Sequence, residues 1–387
     1  MLFMSAKPYL SVCIPAYNKS DRLRKNLASL LNACGDDIEI VVVDNVSEEN
    51  LEEVCKNFND PRISYYRNEE LIVAQANWIR SVRLAKGQWA LLMMDRDFIN
   101  GKGIPALIEE LKKHKTFGTG NLLIHFGGGK EEIYFKDSKI ENVEEFPAGE
   151  IGTLLESNRV GHPSGNLYNR DFLTVSEGLE TAIIRRPRLN ENIYLMYDQA
   201  WKHGFLKIHG DMIYSVPGSY LKTYKSGYKA SYTNTKSVNY YPYFTPEGFM
   251  TYIREDLEEM LKLDFPRKID SKELCVQAYN GYIKDTFLSM ISIPRSSPLW
   301  RHYDEKYTYR TGKERKRIAT EFCEDYKATV RRLLGDDAED VLPEIEPIQI
   351  DWLTYIKPTL AEFKYAIADI PVIGPFLLQV KHWLIRS

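Results

Sequence analysis

An apolar run in this chain ends in two carboxylates spaced i, i+2: Trp89-Ala-Leu-Leu-Met-Met-Asp95-Arg-Asp97. The run reads as a strand buried on both faces. Its carboxyl end is where an open α/β sheet places ligands. Two carboxylates there can share one divalent cation through hard oxygen ligands, the kind that Mg²⁺ and Mn²⁺ take. A third carboxylate, Asp44, closes a second run, Ile38-Glu-Ile-Val-Val-Val-Asp44, and is followed by Asn45. A shorter run, Leu10-Ser-Val-Cys-Ile, passes into Pro15-Ala16-Tyr17-Asn18. Acids at the ends of two strands beside such a loop suit a nucleotide held through its base, its ribose and a metal-bridged diphosphate.

The elements that must position these groups follow from the hydrophobic pattern. Residues 10–15, 38–44, 63–66 and 117–125 read as strands alongside the run into Asp95. Helices are expected after Asp21, over 48–58 with Ser47 as cap, over 74–85 with Gly87 as its stop, and over 104–113. Alternation at this density predicts a doubly wound α/β domain with a largely parallel sheet. Neither GxGxxG nor GxxxxGK[ST] follows the first strand, which argues against a Rossmann dehydrogenase and a P-loop enzyme. Gly127-Gly-Gly129 reads as a turn. Residues 130–160 look irregular and acidic. The segment Val160-Gly-His162-Pro-Ser164-Gly-Asn carries the Gly and Pro density of a shaped loop. Residues 193–203 read helical, with Asp198 inside, and 207–216 read as a strand.

Beyond Pro246 the periodicity is helical, at 248–263, 271–291, 313–334 and 351–368. Two regions are therefore expected, 1–245 and 246–387. The tail 370–386 is apolar with Lys381, Trp383 and Arg386. It suits docking on its own domain, self-association, or contact with a membrane interface. No stretch approaches the ~20 apolar residues of a spanning helix. The chain has 387 residues and a net charge of −3, so its charge gives a nucleic-acid partner no support. Its five cysteines lack CxxC spacing, which fits reduced thiols in a cytosol rather than zinc or disulfides. A cytoplasmic protein, at most peripheral on a membrane, is the expectation.

Taken in order, Ser11-Val-Cys-Ile-Pro-Ala-Tyr-Asn18, Ile40-Val-Val-Val-Asp-Asn45, Arg67-Asn-Glu, Gln75-Ala-Asn77-Trp-Ile-Arg80 and the run into Asp95-Arg-Asp97 resemble the family 2 glycosyltransferases of the GT-A fold. The likeness covers residues 8–115 well, thins towards 235 and ends there. It implies a Rossmann-like, mostly parallel sheet flanked by helices, and an enzyme moving a hexose from a nucleotide sugar, a UDP-sugar, to a lipid- or protein-linked glycan acceptor. By resemblance, Pro15, Ala16 and Tyr17 line the donor pocket and Asp44 meets the base or ribose. Asn45, Asn77 and Arg80 belong to the same donor site. Asp95 and Asp97 form the DxD pair, one meeting the ribose and the other an Mn²⁺ or Mg²⁺ ion. An inverting enzyme also needs a carboxylate to deprotonate the acceptor hydroxyl. The matching position is Asp198, with Tyr197 where relatives carry an acid and Glu191 as the rival.

Other positions are less constrained. Arg96 stands where relatives have a third acid, and strand alternation would turn it away. Lys222 or Lys225 stands near where relatives place a His beside the diphosphate. His162 and Ser164 are candidates for meeting the acceptor, while His203 and His209 read as structural. Two rivals keep the fold: a sugar-phosphate nucleotidyltransferase, whose Gly-rich basic loop is missing here, and a non-catalytic glycan-binding scaffold.

Overall fold

The computed structural model describes residues 7–126, 138–158, 163–173, 193–215, 270–284 and 312–350, with isolated positions between 254 and 288. The chain divides into two compact units, Met1–Thr235 with Glu259–Ile269, and Lys236–Glu258 with Asp270–Ser387. The expected boundary at 245/246 lies outside the described residues.

The first unit is built on one mixed sheet. Strands β1 (Leu10–Ala16), β2 (Ile38–Asp44), β3 (Ile63–Arg67) and β4 (Trp89–Leu92) run parallel in the order β3-β2-β1-β4. Between them lie helices α1 (Ser20–Ala33), α2 (Leu51–Lys56) and α3 (Ala74–Leu84). β1, β2 and β4 are buried at every position, as their unbroken apolar runs require. The expected mostly parallel sheet with flanking helices, followed by a helical C-terminal region, is the observed architecture.

The sheet continues through strands the pattern hid. β8 (Asn166–Asn169) pairs antiparallel with both β4 and β6 (Thr119–Phe126). β6 therefore points the same way as β4, and β9 (Phe205–Ser215) lies parallel beside it. The far edge of β9 carries two short antiparallel partners, β5 (Phe98–Ile99) and β7 (Ile140–Phe146). The stretch expected to be irregular thus contains β7 and helix α5 (Ile151–Asn158), and the Gly- and Pro-rich loop leads straight into β8. Helix α4 (Ile104–Lys113) matches its expected bounds. It buries Ile104, Leu107, Ile108 and Leu111, one apolar stripe at helical spacing.

Two capping expectations are corrected. Helix α2 starts at Leu51, later than expected, and Asn50 caps it by accepting from Glu53 N–H at 3.0 Å. Ser47 is engaged elsewhere, as described below. Gly87 does not stop α3, which ends at Leu84 with Ala85 as its cap. Gly87 is required by close approach: a Cβ there would lie 2.7 Å from Ser11 Oγ and 2.8 Å from Ser11 N.

In the second unit, helices α7 (Ser271–Ala278) and α8 (Gly312–Leu334) are described. Asp270 caps α7 through Lys272 and Glu273 N–H, and Tyr279 stacks on Tyr326 at 4.8 Å between ring centres. The helices expected at 248–263 and 351–368, and the tail 370–386, lie largely or wholly outside the described residues.

Candidate active site

Three loops meet at the carboxyl edge of β1, β2 and β4. The apolar run that carries Asp95 leaves the sheet after Leu92, with Met93 and Met94 still buried, and brings Asp95 level with the end of β1. There Tyr17 N–H donates to Asp95 Oδ2 at 2.6 Å. Asp95 is partly open to solvent yet crowded by protein. Burial pushes its pKa up to about 6, against the lowering effects of the Tyr17 amide and of the Arg96 and Lys19 charges, with Asp97 adding a further push upward.

The β1–α1 loop is tied to the β2–α2 loop. Asn18 takes a left-handed backbone, φ 52°, which its short amide side chain tolerates. Its amide oxygen accepts from Glu48 N–H (2.7 Å) and Glu49 N–H (3.2 Å), while its own N–H donates to Ser47 Oγ at 3.0 Å. Ser47 thus braces the loops instead of capping a helix. Val46 before it is held at φ 62°, a conformation that a β-branched residue rarely adopts.

Asp44 is fully buried, and its carboxylate accepts from Ser47 N–H (2.8 Å), Tyr65 Oη–H (2.6 Å) and the Arg67 guanidinium. The β2–β3 register sets Asp44 opposite Arg67, which explains the pairing. In this arrangement Asp44 ties Ser47, Tyr65 and Arg67 together at the end of β2. Asn45 and Asn77 are also buried. Asn68 Nδ2 donates to Asn45 Oδ1 (2.8 Å) and to Asn77 Oδ1 (2.9 Å). Asn45 Nδ2 reaches Ile72 O (2.8 Å), and Asn77 Nδ2 reaches Val43 O (3.0 Å). Exposure is 7% at Asn45 and 3% at Asn77, and both amides brace the loops after β2 and β3. Pro15 and Ala16 are buried in β1, Tyr17 is partly exposed, and Arg80 is half-buried on α3.

Asp97 has no exposed surface. Ser164 Oγ–H donates to its Oδ2, and the same Oγ accepts from Met94 N–H at 2.9 Å. Asn26 Nδ2 holds the Asp97 carbonyl at 2.9 Å. Ser164, expected to face the acceptor, instead clasps the DxD loop. No local signal marks this contact, since the partners lie 67 residues apart. His162 lies outside the described residues.

Asp198 begins helix α6 (Asp198–His203), which continues the single π-helical turn Ile193–Tyr197. Its carboxylate is paired with Lys202 at 2.8 Å and accepts from Gln199 Nε2 at 2.9 Å. The helix ends where Gly118 N–H meets His203 O (3.2 Å), beside the amino end of β6 and opposite the edge that carries Asp95. Glu191, Lys222 and Lys225 lie outside the described residues. His203 stacks on Phe172 at 4.1 Å, and His209 bonds Glu144, both in keeping with structural roles.

Asp95 and Asp97 are hard oxygen donors that fit Mg²⁺ or Mn²⁺. Among the described residues no group of three His, Cys, Asp or Glu side chains gathers for a metal. The remaining positions of such an ion would be left to phosphate oxygens and water. All five cysteines are free thiols, and among the described residues no helix is long and apolar enough to cross a membrane.

Comparison with known proteins bears on this edge of the sheet. A glucosyltransferase of Campylobacter jejuni, GalNAc(5)-diNAcBac-PP-undecaprenol beta-1,3-glucosyltransferase, is 24% identical over 173 residues, 43% of this chain and 56% of its own length. The abequosyltransferase of Salmonella typhimurium is 35% identical over 94 residues, 23% of this chain and 28% of its own. The chain thus spans little more than half of one relative and about a quarter of the other. Among solved structures, Staphylococcus aureus TarS 1–349 in complex with UDP-GlcNAc covers 92% of both chains at 14% identity, with a TM-score of 0.46. The mannosyltransferase PcManGT of Pyrobaculum calidifontis, in complex with GDP-Man and Mn²⁺, covers 92% of this chain and 89% of its own at 12% identity, with a TM-score of 0.42. The family model for glycosyl transferase family 2 matches residues 11–174, the stretch that holds Tyr17, Asp95, Asp97 and Ser164. Over those residues the chain is similar to the glycosyl transferase family 2 domain.

Proposed function

We propose that this protein is an inverting glycosyltransferase that moves a hexose from a UDP-sugar to the hydroxyl of a glycan acceptor. The observation that carries the reading is Asp95: a partly open carboxylate at the ligand edge of the sheet, oriented by the Tyr17 amide at 2.6 Å. Such a group can meet a ribose hydroxyl or a metal bound to the diphosphate. Asp95 and Asp97 would hold an Mn²⁺ or Mg²⁺ ion, which as a Lewis acid offsets the charge that develops on a departing diphosphate. Pro15, Ala16 and Tyr17 form the floor beside them, with Arg80 near the donor. Asp44, held by Tyr65 and Arg67, would stand on the side of the nucleotide base.

In the reaction the acceptor hydroxyl attacks the anomeric carbon from the face opposite the diphosphate. The new C–O bond forms as the bond to the phosphate oxygen breaks. A carboxylate takes the hydroxyl proton, and nucleoside diphosphate leaves. We assign that carboxylate to Asp198, with Glu191 as the alternative. Asp198 is paired with Lys202, so Lys202 would have to release the carboxylate before it could reach an acceptor hydroxyl. The Campylobacter relative is named for an undecaprenyl-diphosphate-linked acceptor, which supports a lipid-linked glycan here. The helical C-terminal region would serve acceptor binding, self-association or peripheral membrane contact.

Purified protein assayed against UDP-, GDP-, dTDP- and CMP-sugars with Mn²⁺ or Mg²⁺ should release UDP from a UDP-sugar, and Asp95→Asn should abolish the release. Release of no nucleotide from any of the donors would overturn the proposal.

A further inference from the structure

We infer that Ser164 is a positioning residue for the DxD pair: its hydroxyl sets the rotation of the Asp97 carboxylate, which under the proposed function would be a ligand of the metal. The inference rests on the donor-binding reading above. A carboxylate with no exposed surface has no bulk water to orient it. Its orientation must come from fixed donors, and Ser164 supplies one to Oδ2. The hydroxyl is itself directed. Oγ accepts from Met94 N–H at 2.9 Å, which leaves its proton for Asp97. Met94 and Asp97 belong to the same loop, so a single buried hydroxyl bridges its two ends. A donor on one side of a ligating carboxylate fills lone pairs that the ion does not use.

The loop carrying Ser164 cannot drift. Gly165 N–H donates to Leu92 O at 2.9 Å, and Gly165 O accepts from Leu122 N–H at 2.8 Å, so the loop is stitched between β4 and β6. Gly165 has φ 93°, and a Cβ there would lie 2.1 Å from Leu122 O. Only glycine fits, and with glycine there the hydroxyl is delivered to one place. Both strands that flank β8 therefore help to fix a single hydrogen bond at the catalytic edge. This accounts for the glycine at 165, and it gives Ser164 a role distinct from acceptor contact.

Ser164→Ala and Ser164→Cys are the test, the second keeping the volume while weakening the donor. Binding of Mn²⁺ in the presence of UDP is read from the loss of the free-ion electron paramagnetic resonance signal, alongside melting temperature and donor kinetics. Both variants should fold, melting somewhat below wild type because Met94 N–H and Asp97 Oδ2 lose or weaken a buried partner. Both should bind Mn²⁺ with UDP about tenfold or more weakly, in the range found for residues that orient metal ligands. They should need correspondingly more Mn²⁺ for half-maximal turnover, with activity largely regained at saturating metal. If the variants bind Mn²⁺ with UDP as tightly as wild type, Ser164 does no more than pack the loop and the inference is overturned. If Ser164→Ala fails to fold, Ser164→Cys carries the same comparison. If wild type binds no Mn²⁺ with UDP, the donor-binding reading falls and this inference falls with it; tight binding by wild type and variants alike removes only the role of Ser164.

Discussion

Asp95→Asn should make the protein inactive and, above pH 6, more stable. The side chain sits among protein atoms that desolvate it, and its pKa rises from the ordinary 3.8 to about 6. In the unfolded chain the group titrates near its ordinary value. Between the two values the folded protein holds a proton that the unfolded chain has released, so stability falls as pH rises through that window. Below it, both states are protonated and nothing is lost. At about 1.36 kcal/mol per unit, roughly two units set a ceiling near 3 kcal/mol. The open side of Asp95 reduces this to about 1–3 kcal/mol. An amide oxygen can still accept from Tyr17 N–H, so the substitution removes the charge and leaves the loop contact intact. Urea unfolding of metal-free protein in chelator, at pH 4, 6 and 8, measures the difference. The Asn variant should match wild type at pH 4 and exceed it by the stated amount at pH 8. Adding Mn²⁺ and UDP should then stabilise wild type by mass action and leave the variant unmoved. A variant that is less stable at pH 8, or equally stabilised at all three pH values, would refute the reasoning. The expected pattern is that of a group placed for function at the expense of the fold.

Three other outcomes follow from the same geometry. Val46→Gly should relieve the left-handed backbone at φ 62° and raise stability by about 1 kcal/mol in urea unfolding, with donor kinetics little changed. Arg67→Ala should leave the buried Asp44 with only Tyr65 and the Ser47 amide; a loss of about 1–3 kcal/mol is expected, with a raised KM for donor as the end of β2 loosens. Of Asp198→Asn and Glu191→Gln, the variant that loses transfer to acceptor at least a hundredfold while still binding UDP identifies the base; comparable activity in both would remove either from that role.

The parts of the site legible in the sequence were those that a strand carries to its own end. Asp95 is found because six apolar residues precede it and the sheet must deposit it at the ligand edge. The same logic marks Asp44 and the Pro15–Tyr17 loop. What pattern could not reveal was set by pairing across the sheet. Asp44 looks available until β3 is laid beside β2, when the register puts Arg67 opposite it and closes it off. Strand β7 escaped because its apolar residues, Ile140, Val143 and Phe146, recur every third position instead of every second. The register slips between Ile140 and Asn142 as it pairs with β9, and this irregularity removes the alternation that a strand would show. β8 escaped because four residues hidden behind a turn carry no period at all.

Ser164 shows why local reading misassigns function most readily at a turn. The Gly and Pro density suggested a shaped loop, of which Pro163, Ser164 and Gly165 form a described turn, and a shaped loop invites a substrate. Here the shape serves a hydrogen bond made inward, to a carboxylate in the neighbouring loop. A glycine that only backbone crowding can explain, beside a hydroxyl with no exposure, belongs to support and not to recognition. Asn45 and Asn77 are likewise nearly unexposed and are tied together through Asn68. Tyr17 and Asp95 are partly exposed and in direct contact, and these are where substitutions should change donor binding first.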